Sequence, residues 1–387
     1  MQFPYKRLLI SGAVAWLILI AGMSVSRRAP VALAQTPAAP KPQMSEAAFK
    51  NIQVLNGIPV DEFMGTMGLF SAALSVCCGD CHKNAGTDHP EWDADPPRKI
   101  TARKMVQMVN AINRDNFKGV QVVTCWTCHR GAQNPSTTPT IDAIYNSAPV
   151  FAQPDILPAA PPATSGTPPA DQILDKYIQA LGGADRLSKL TSYTAKGTSQ
   201  LFGEVRADAT EIYAKAPDRL ATIVHQRGGD LARTYDGRDA WVMLPLTVVG
   251  EYPLTASARE GGKLDAEMAF PGGIKKFFNN WKVSYPTTLN GKDVYVVQGT
   301  ATGMIGTFYF DKQSGLLTRM VRYASSAVGR VPTQIDYSDY RPVAGVMMPF
   351  KWTYGWVSGQ EEYTLTEYQP NVPVDAAKFA RPVQRAK

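Results

Sequence analysis

The chain has 387 residues, 44% apolar and 19% charged, enough to bury more than one core. Its formal charge of +7 is unevenly spread: Lys6, Arg7, Arg27 and Arg28 supply four of these charges, and residues 35–170 are near neutral, with ten basic against eleven acidic side chains. Residues 171–387 hold 26 against 22, and no stretch forms a concentrated basic stripe, so no nucleic-acid partner is expected.

Residues 1–34 read as an export segment. Lys6 and Arg7 form a charged start, residues 8–25 an apolar run, and Ala32-Leu33-Ala34 a small-x-small cleavage pattern before Gln35. The expectation is an exported, periplasmic chain with a signal peptide. The apolar run is also close to the length of a membrane span, so residues 8–25 could alternatively be kept as an N-terminal anchor. Residues 35–45, rich in Pro and Ala, read as a flexible leader.

Residues 46–132 form the next unit. After Pro59, Val60, Phe63, Met64, Met67 and Phe70 recur at helical spacing. Further on, Ile100, Met105, Met108, Val109 and Ile112 do the same. Each predicted helix precedes a cysteine pair. The five cysteines all fall between residues 77 and 128, an odd number that does not suit a disulfide framework. Four of them form Cys78-Gly79-Asp80-Cys81-His82 and Cys125-Trp126-Thr127-Cys128-His129. This is the C-x-x-C-H pattern of c-type haem attachment. Two thiols three residues apart share one side of a helical turn and can reach the two vinyl groups of a porphyrin. The histidine that follows then points at the iron. Two haem c groups are therefore expected, covalently held by Cys78, Cys81, Cys125 and Cys128, with His82 and His129 as axial ligands. A zinc site with four thiolates and a pair of redox dithiols are the competing readings. Neither accounts for a histidine after each second cysteine.

The sixth iron ligand is left open by spacing alone. Methionine and histidine are the usual choices, and Met64, Met67, Met105 and Met108 are the nearby candidates. His89 sits in a polar loop and reads as surface, while His225 follows an apolar strand pattern and reads as structural. Cys77 reads as a small buried residue beside the site.

Residues 133–170 carry nine prolines with Ala, Thr and Ser, a linker composition. Residues 171–387 form the last unit. A short helix carries Ile173, Leu174, Tyr177, Ile178 and Leu181 on one face, with Asp171 as its cap and Gly182-Gly183 as its end. Beyond Thr191 the pattern is strand after strand. Asp236-Gly237, Asn290-Gly291 and Ser314-Gly315 mark turns, and Val294–Val297 and Thr307–Phe310 have strand composition. The fold class is multidomain: a small, mainly α dihaem cytochrome c domain, then an α+β domain with a large curved antiparallel sheet.

The segment from Lys50 to Gly131 resembles the cytochrome c subunit of photosynthetic reaction centres. The matching stretches are Lys50–Leu55, Phe63-Met64-Gly65-Thr66-Met67, Thr101–Met108, Ala111-Ile112-Asn113 and Val123–Gly131. The resemblance implies that each haem lies against a helix bearing its methionine ligand. It places Met67 at the first haem and Met105 at the second, with Met64 and Met108 as packing neighbours. This chain has cysteines for two haems where that family carries four, so one haem pair is expected. Phe308–Leu317 and Tyr340–Pro349 resemble periplasmic lipoprotein-carrier-like half-barrels, which wrap a sheet around an apolar ligand; the domain is expected to be a structural or docking module, with a lipid- or quinone-binding pocket for an apolar ligand as the alternative. The whole reads as an electron-transfer protein, not an enzyme, serving redox proteins such as a membrane-bound electron-transfer complex. The alternative is a dihaem periplasmic enzyme, such as a peroxidase with one open haem.

Overall fold

The computed structural model describes residues 40–135, 167–245 and 247–383, with isolated positions between the first two ranges. The export segment, residues 35–39 and most of the Pro-rich stretch lie outside the described residues. Among those described, no helix is long and apolar enough to cross a membrane.

The N-terminal part is helical: α1 (Ser45–Ala48), α2 (Val60–Leu74), α3 (Cys78–Cys81), α4 (Pro97–Phe117) and α5 (Cys125–His129). Pro59 stands at the N-cap of α2, where Asp61 and Glu62 in the first turn suit the positive end of the helix dipole. The helix ends at Ser75, which adopts a left-handed conformation. Helix α4 begins with Pro97 at its first position and likewise ends on a left-handed residue, Lys118.

Among the described residues, the C-terminal part contains four α-helices and fourteen strands. The helices are α6 (Ala170–Ala180), α7 (Ala184–Lys189), α8 (Ala256–Ala269) and α9 (Ile274–Phe277). The strands are β1 (Ser192–Leu201), β2 (Asp208–Lys215), β3 (Arg219–Gln226), β4 (Gly229–Tyr235), β5 (Ala240–Met243), β6 (Glu251–Leu254), β7 (Asn280–Val283), β8 (Thr287–Leu289), β9 (Lys292–Ala301), β10 (Met304–Asp311), β11 (Leu317–Ser326), β12 (Gly329–Val343), β13 (Val346–Trp356) and β14 (Gly359–Pro370). All pair antiparallel in the order β6-β5-β4-β3-β2-β1-β14-β13-β12-β11-β10-β9-β7, with β8 also on β9. The predicted turns Asp236-Gly237, Asn290-Gly291 and Ser314-Gly315 fall between β4 and β5, β8 and β9, and β10 and β11. At Asn290-Gly291 both residues have positive φ, as a tight hairpin requires.

The sheet is open, and it curves around one core. Strands β1, β2, β9, β10, β12, β13 and β14 all send residues into a single buried cluster with helices α6, α7 and α8. A flat sheet of this many strands, each about 4.8 Å from the next, would be too wide for that. Helix α6 buries Ile173, Leu174, Tyr177 and Ile178 in this cluster, the face expected from sequence. It starts at Ala170 with Pro169 at the N-cap, so Asp171 lies in the first turn and does not cap it.

The described residues from Pro40 onward cluster as one compact unit. Helix α2 packs on β11, β12 and β6 as well as on α5. Its core of Leu55, Phe63, Leu69, Ala73, Val106 and Cys125 is completed by Val328, from the turn between β11 and β12. Two glycines allow the approach. A Cβ on Gly68 would stand 2.8 Å from Val357, and one on Gly329 (φ +152) would stand 2.7 Å from Leu69. Polar contacts fix the register. Thr66 Oγ1 accepts from the Ala327 N–H at 3.2 Å, and the Asp61 carboxylate accepts from the N–H (2.6 Å) and hydroxyl (3.0 Å) of Thr255. Burial pushes the Asp61 carboxyl above its usual value, and the Thr255 bonds oppose that shift.

Candidate functional site: two capped cysteine turns

Both C-x-x-C-H sequences fold as single helical turns held in the same way. In the second, Thr124 is the N-cap: the Thr127 N–H donates to its Oγ1 at 3.4 Å, and the Thr124 N–H donates back to Thr127 Oγ1 at 3.0 Å. In the first, Cys77 takes the place of Thr124 and Asp80 that of Thr127. The Cys77 N–H donates to Asp80 Oδ2 at 2.9 Å, and the Cys77 thiol reaches the same oxygen at 3.2 Å. Arg98 on α4 holds Asp80 at 2.8 Å. The Cys77 bonds keep the Asp80 carboxyl below its usual range. Cys77 is exposed, which corrects the expectation of a small buried residue: the capping geometry needs its side chain at the rim of the turn.

Cys78 and Cys128 are exposed, Cys81 is half-buried and Cys125 is buried. Burial raises the thiol pKa of both Cys81 and Cys125. Among the described residues no three His, Cys, Asp or Glu side chains converge as a metal-ion cluster. The two cysteine pairs therefore do not meet as the tetrathiolate zinc reading requires.

The two histidines differ in environment. His129 Nδ1 lies 3.0 Å from the Ala132 carbonyl, which makes Nδ1 the protonated nitrogen and leaves the Nε2 lone pair free. His82 Nδ1 is buried with no hydrogen-bond partner, and its ring packs edge-on against Trp92, 5.2 Å between centroids. Burial, with the charges of Lys99 and Arg103, pushes the His82 pKa below its ordinary value. That shift favours the neutral imidazole at His82, and a hydrogen bond with the Trp92 backbone opposes it. His89 is exposed in its loop. His225 pairs with Asp230 at 2.9 Å on the surface of the sheet domain.

The four methionines separate by face. On α2, Gly65 and Gly68 look at the sheet domain. Met67 lies two residues from Gly65, about 200° around the helix, on the face turned away from the sheet. Met64 lies one turn before Gly68 and lines the cavity of the sheet domain. On α4, Met105 is half-buried one turn before buried Val109, whereas Met108 is 44% exposed.

Asn113, quoted above only as part of a matching stretch, anchors the second turn. It is buried near the end of α4. Its Nδ2 donates to the Val123 carbonyl at 2.8 Å, and its Oδ1 accepts from the N–H groups of Val122 (3.0 Å) and Val123 (2.9 Å). This pins the chain entering α5 to the helix that carries Met105. Asp95 does similar work at the other end of α4, binding Arg103 and Asn51 at 2.8 Å each. Helix α5 packs directly on α2, and the Gly131 N–H donates to the Ala73 carbonyl at 2.9 Å.

Comparisons with known proteins agree with the sequence reading of this region. Residues 21–162 match the family described as photosynthetic reaction centre cytochrome C subunit. Relatives with that printed description include one from Thermochromatium tepidum, 35% identical over 99 residues, covering 24% of this chain and 23% of the relative. Another, from Rubrivivax gelatinosus (strain NBRC 100245 / IL144), is 31% identical over 91 residues, covering 22% and 24%. The chain thus spans about a quarter of the length of the curated relatives it matches. Among solved structures, it is similar to a putative outer membrane lipoprotein-sorting protein domain from Vibrio parahaemolyticus, with TM-score 0.38, 12% identity and coverage of 54% of this chain and 94% of that one. A LolA superfamily protein from Nitrosomonas europaea gives TM-score 0.36 at 12% identity, covering 56% and 99%. The segment that holds both cysteine turns is thus similar in sequence to the photosynthetic reaction centre cytochrome C subunit family, and it is joined in one chain to an open antiparallel sheet domain.

Proposed function

We propose that this protein is an exported dihaem c-type cytochrome that passes single electrons between redox proteins, such as members of a membrane-bound electron-transfer complex. The observation that carries the reading is the pair of C-x-x-C-H turns, each closed by an N-cap N–H bonded to the side chain at the third helical position and each followed by a histidine. The donor set fits haem c: two thiols and one imidazole per turn, with a thioether on a neighbouring helix. Cys78, Cys81 and His82 would hold one haem with Met67, and Cys125, Cys128 and His129 the other with Met105. Bound haem supplies a one-electron iron couple whose potential its axial ligands tune. The protein's part is to hold those ligands. The Ala132 carbonyl fixes the His129 tautomer, and the Trp92 ring packs against the His82 imidazole. Asn113 ties the second turn to the Met105 helix.

The outward face of Met67, opposite the sheet domain, supports it over Met64. Greater burial supports Met105 over Met108. Mass spectrometry of the exported protein tests the cofactor number and processing together: two added haems and a start at Gln35 are expected, and one haem or none refutes the reading. The weak far-red band of Met-ligated oxidised haem should diminish in Met67→Ala and in Met105→Ala and persist in Met64→Ala and Met108→Ala. A high-spin spectrum in the unmutated protein would instead favour the open-haem enzyme.

A further inference from the structure

The concave side of the sheet is incompletely filled. A cavity of about 440 Å³ lies between the sheet, α8 and α2, within the range of small-molecule sites, roughly 300–1,000 Å³. Its walls include Tyr193, Trp241, Tyr337, Trp352 and Trp356. A planar ring can stack on these aromatic faces, whereas an aliphatic chain gains there only by burying apolar area.

Two polar groups sharpen the choice. Among the described residues, neither the Tyr193 nor the Tyr337 hydroxyl has a hydrogen-bond partner, and both side chains line the cavity. Tyr193 is only 6% exposed. Tyr337 keeps some accessible surface although protein surrounds it, so that surface is cavity wall. Burial raises both phenol pKa values, which keeps them protonated donors. A wholly apolar occupant would leave both hydroxyls dry and unpaired, at about 1–3 kcal/mol each. An occupant with ring oxygens accepts from them.

Charge argues the same way. Arg233 in the wall is already engaged: it donates to the Tyr363 hydroxyl at 2.9 Å, lies 3.5 Å from Glu361 and sits 4.6 Å over the Tyr354 ring. Arg322 is held by both oxygens of Asp265, at 2.9 and 2.7 Å. On the α2 side the cavity is lined by Asp61 and Glu62, so an anionic head group meets two carboxylates there. A neutral ligand does not.

We infer that the half-barrel cavity binds a neutral planar ring bearing carbonyl oxygens, of the quinone class, with Tyr193 and Tyr337 donating to those oxygens. The inference goes beyond the electron-carrier reading, and its test reads binding alone. Full-length protein is dialysed to equilibrium against duroquinone, whose fully substituted ring resists addition by the exposed Cys77 thiol, and free quinone is measured in the protein-free chamber. Palmitate is the comparison ligand. Saturable one-to-one binding is expected, tighter than that of palmitate. Tyr193→Phe and Tyr337→Phe should each weaken duroquinone binding about 5- to 10-fold and leave palmitate binding unchanged. Absence of saturable quinone binding overturns the inference, as does palmitate displacing quinone at equal or lower concentration. Phenylalanine variants with native circular dichroism and unaltered quinone affinity also overturn it. The competition in the unmutated protein decides the matter even where a variant fails to fold.

Discussion

Asn113→Ala tests whether the second cysteine turn is positioned by side-chain hydrogen bonding. The substitution removes three hydrogen bonds, at 2.8, 2.9 and 3.0 Å, made by one buried side chain. Each contributes about 0.5–1.5 kcal/mol net. Val122 is exposed, so water can reach part of the freed backbone, whereas Val123 is only half-exposed. The expected loss is about 2–3 kcal/mol, read as a lower denaturant midpoint by far-ultraviolet circular dichroism. Asn113→Asp keeps an oxygen facing both N–H groups but loses the bond to the Val123 carbonyl and buries a charge. It should fall between the unmutated protein and Asn113→Ala at acidic pH, and approach or exceed the alanine loss at neutral pH. A loss below about 0.5 kcal/mol in Asn113→Ala would refute the positioning role, because solvent would then have replaced all three bonds without cost.

Further outcomes follow from the same contacts. Gly68→Leu forces a side chain against Val357 and should destabilise by about 1–3 kcal/mol, while Gly65→Ala, whose Cβ would stand 3.4 Å from Val331, should be tolerated; thermal unfolding distinguishes them. Burial, reinforced by the charge of Asp218 and opposed by the Gly273 N–H, raises Glu267 from 4.5 to about 7, and its Oε1 is buried without a partner. The folded state therefore prefers the protonated acid, so stability falls as pH rises from about 4.5 through about 7. Glu267→Gln should flatten that slope and raise the denaturant midpoint at pH 8 relative to pH 5; partial exposure limits the difference to on the order of 1–2 kcal/mol. Cys77→Ser keeps a cap on the first turn and should match the unmutated protein in thermal unfolding, whereas Cys77→Ala should cost about 0.5–1 kcal/mol.

What the sequence made legible was local. Helix α2 follows from apolar residues at helical spacing behind Pro59 and helix α4 from the same spacing further on, and three hairpins follow from Asp-Gly, Asn-Gly and Ser-Gly pairs. The curved antiparallel sheet likewise follows from strand composition punctuated by turns. The cysteine turns are legible because their chemistry needs a fixed spacing. Long-range features were not. Nothing near Gly65 or Gly68 announces that this face meets Val331 and Val357, and Asp61 finds Thr255 across 194 positions. Cys77 was misread because the buried habit of free cysteine is a statistical tendency, while capping is a matter of geometry at one residue. Asn113 carried a faint signal, an amide late in an otherwise amphipathic helix, but its partners Val122 and Val123 offer only backbone groups.

The contact between Thr66 and Ala327 closes a loop of 261 positions. Closing so long a loop is entropically late in folding, since most of the intervening strands must pair first. Until the turn between β11 and β12 arrives, Leu69 and Ala73 lack the Val328 side of their core. A chain whose sheet has not yet paired would leave the two cysteine turns on a loosely held scaffold, open to modifying chemistry. A fragment ended in the Pro-rich stretch would remain in that condition permanently, with an apolar face of α2 bare to water. Shortening the chain there would yield an incompletely cored segment rather than a minimal version of the protein.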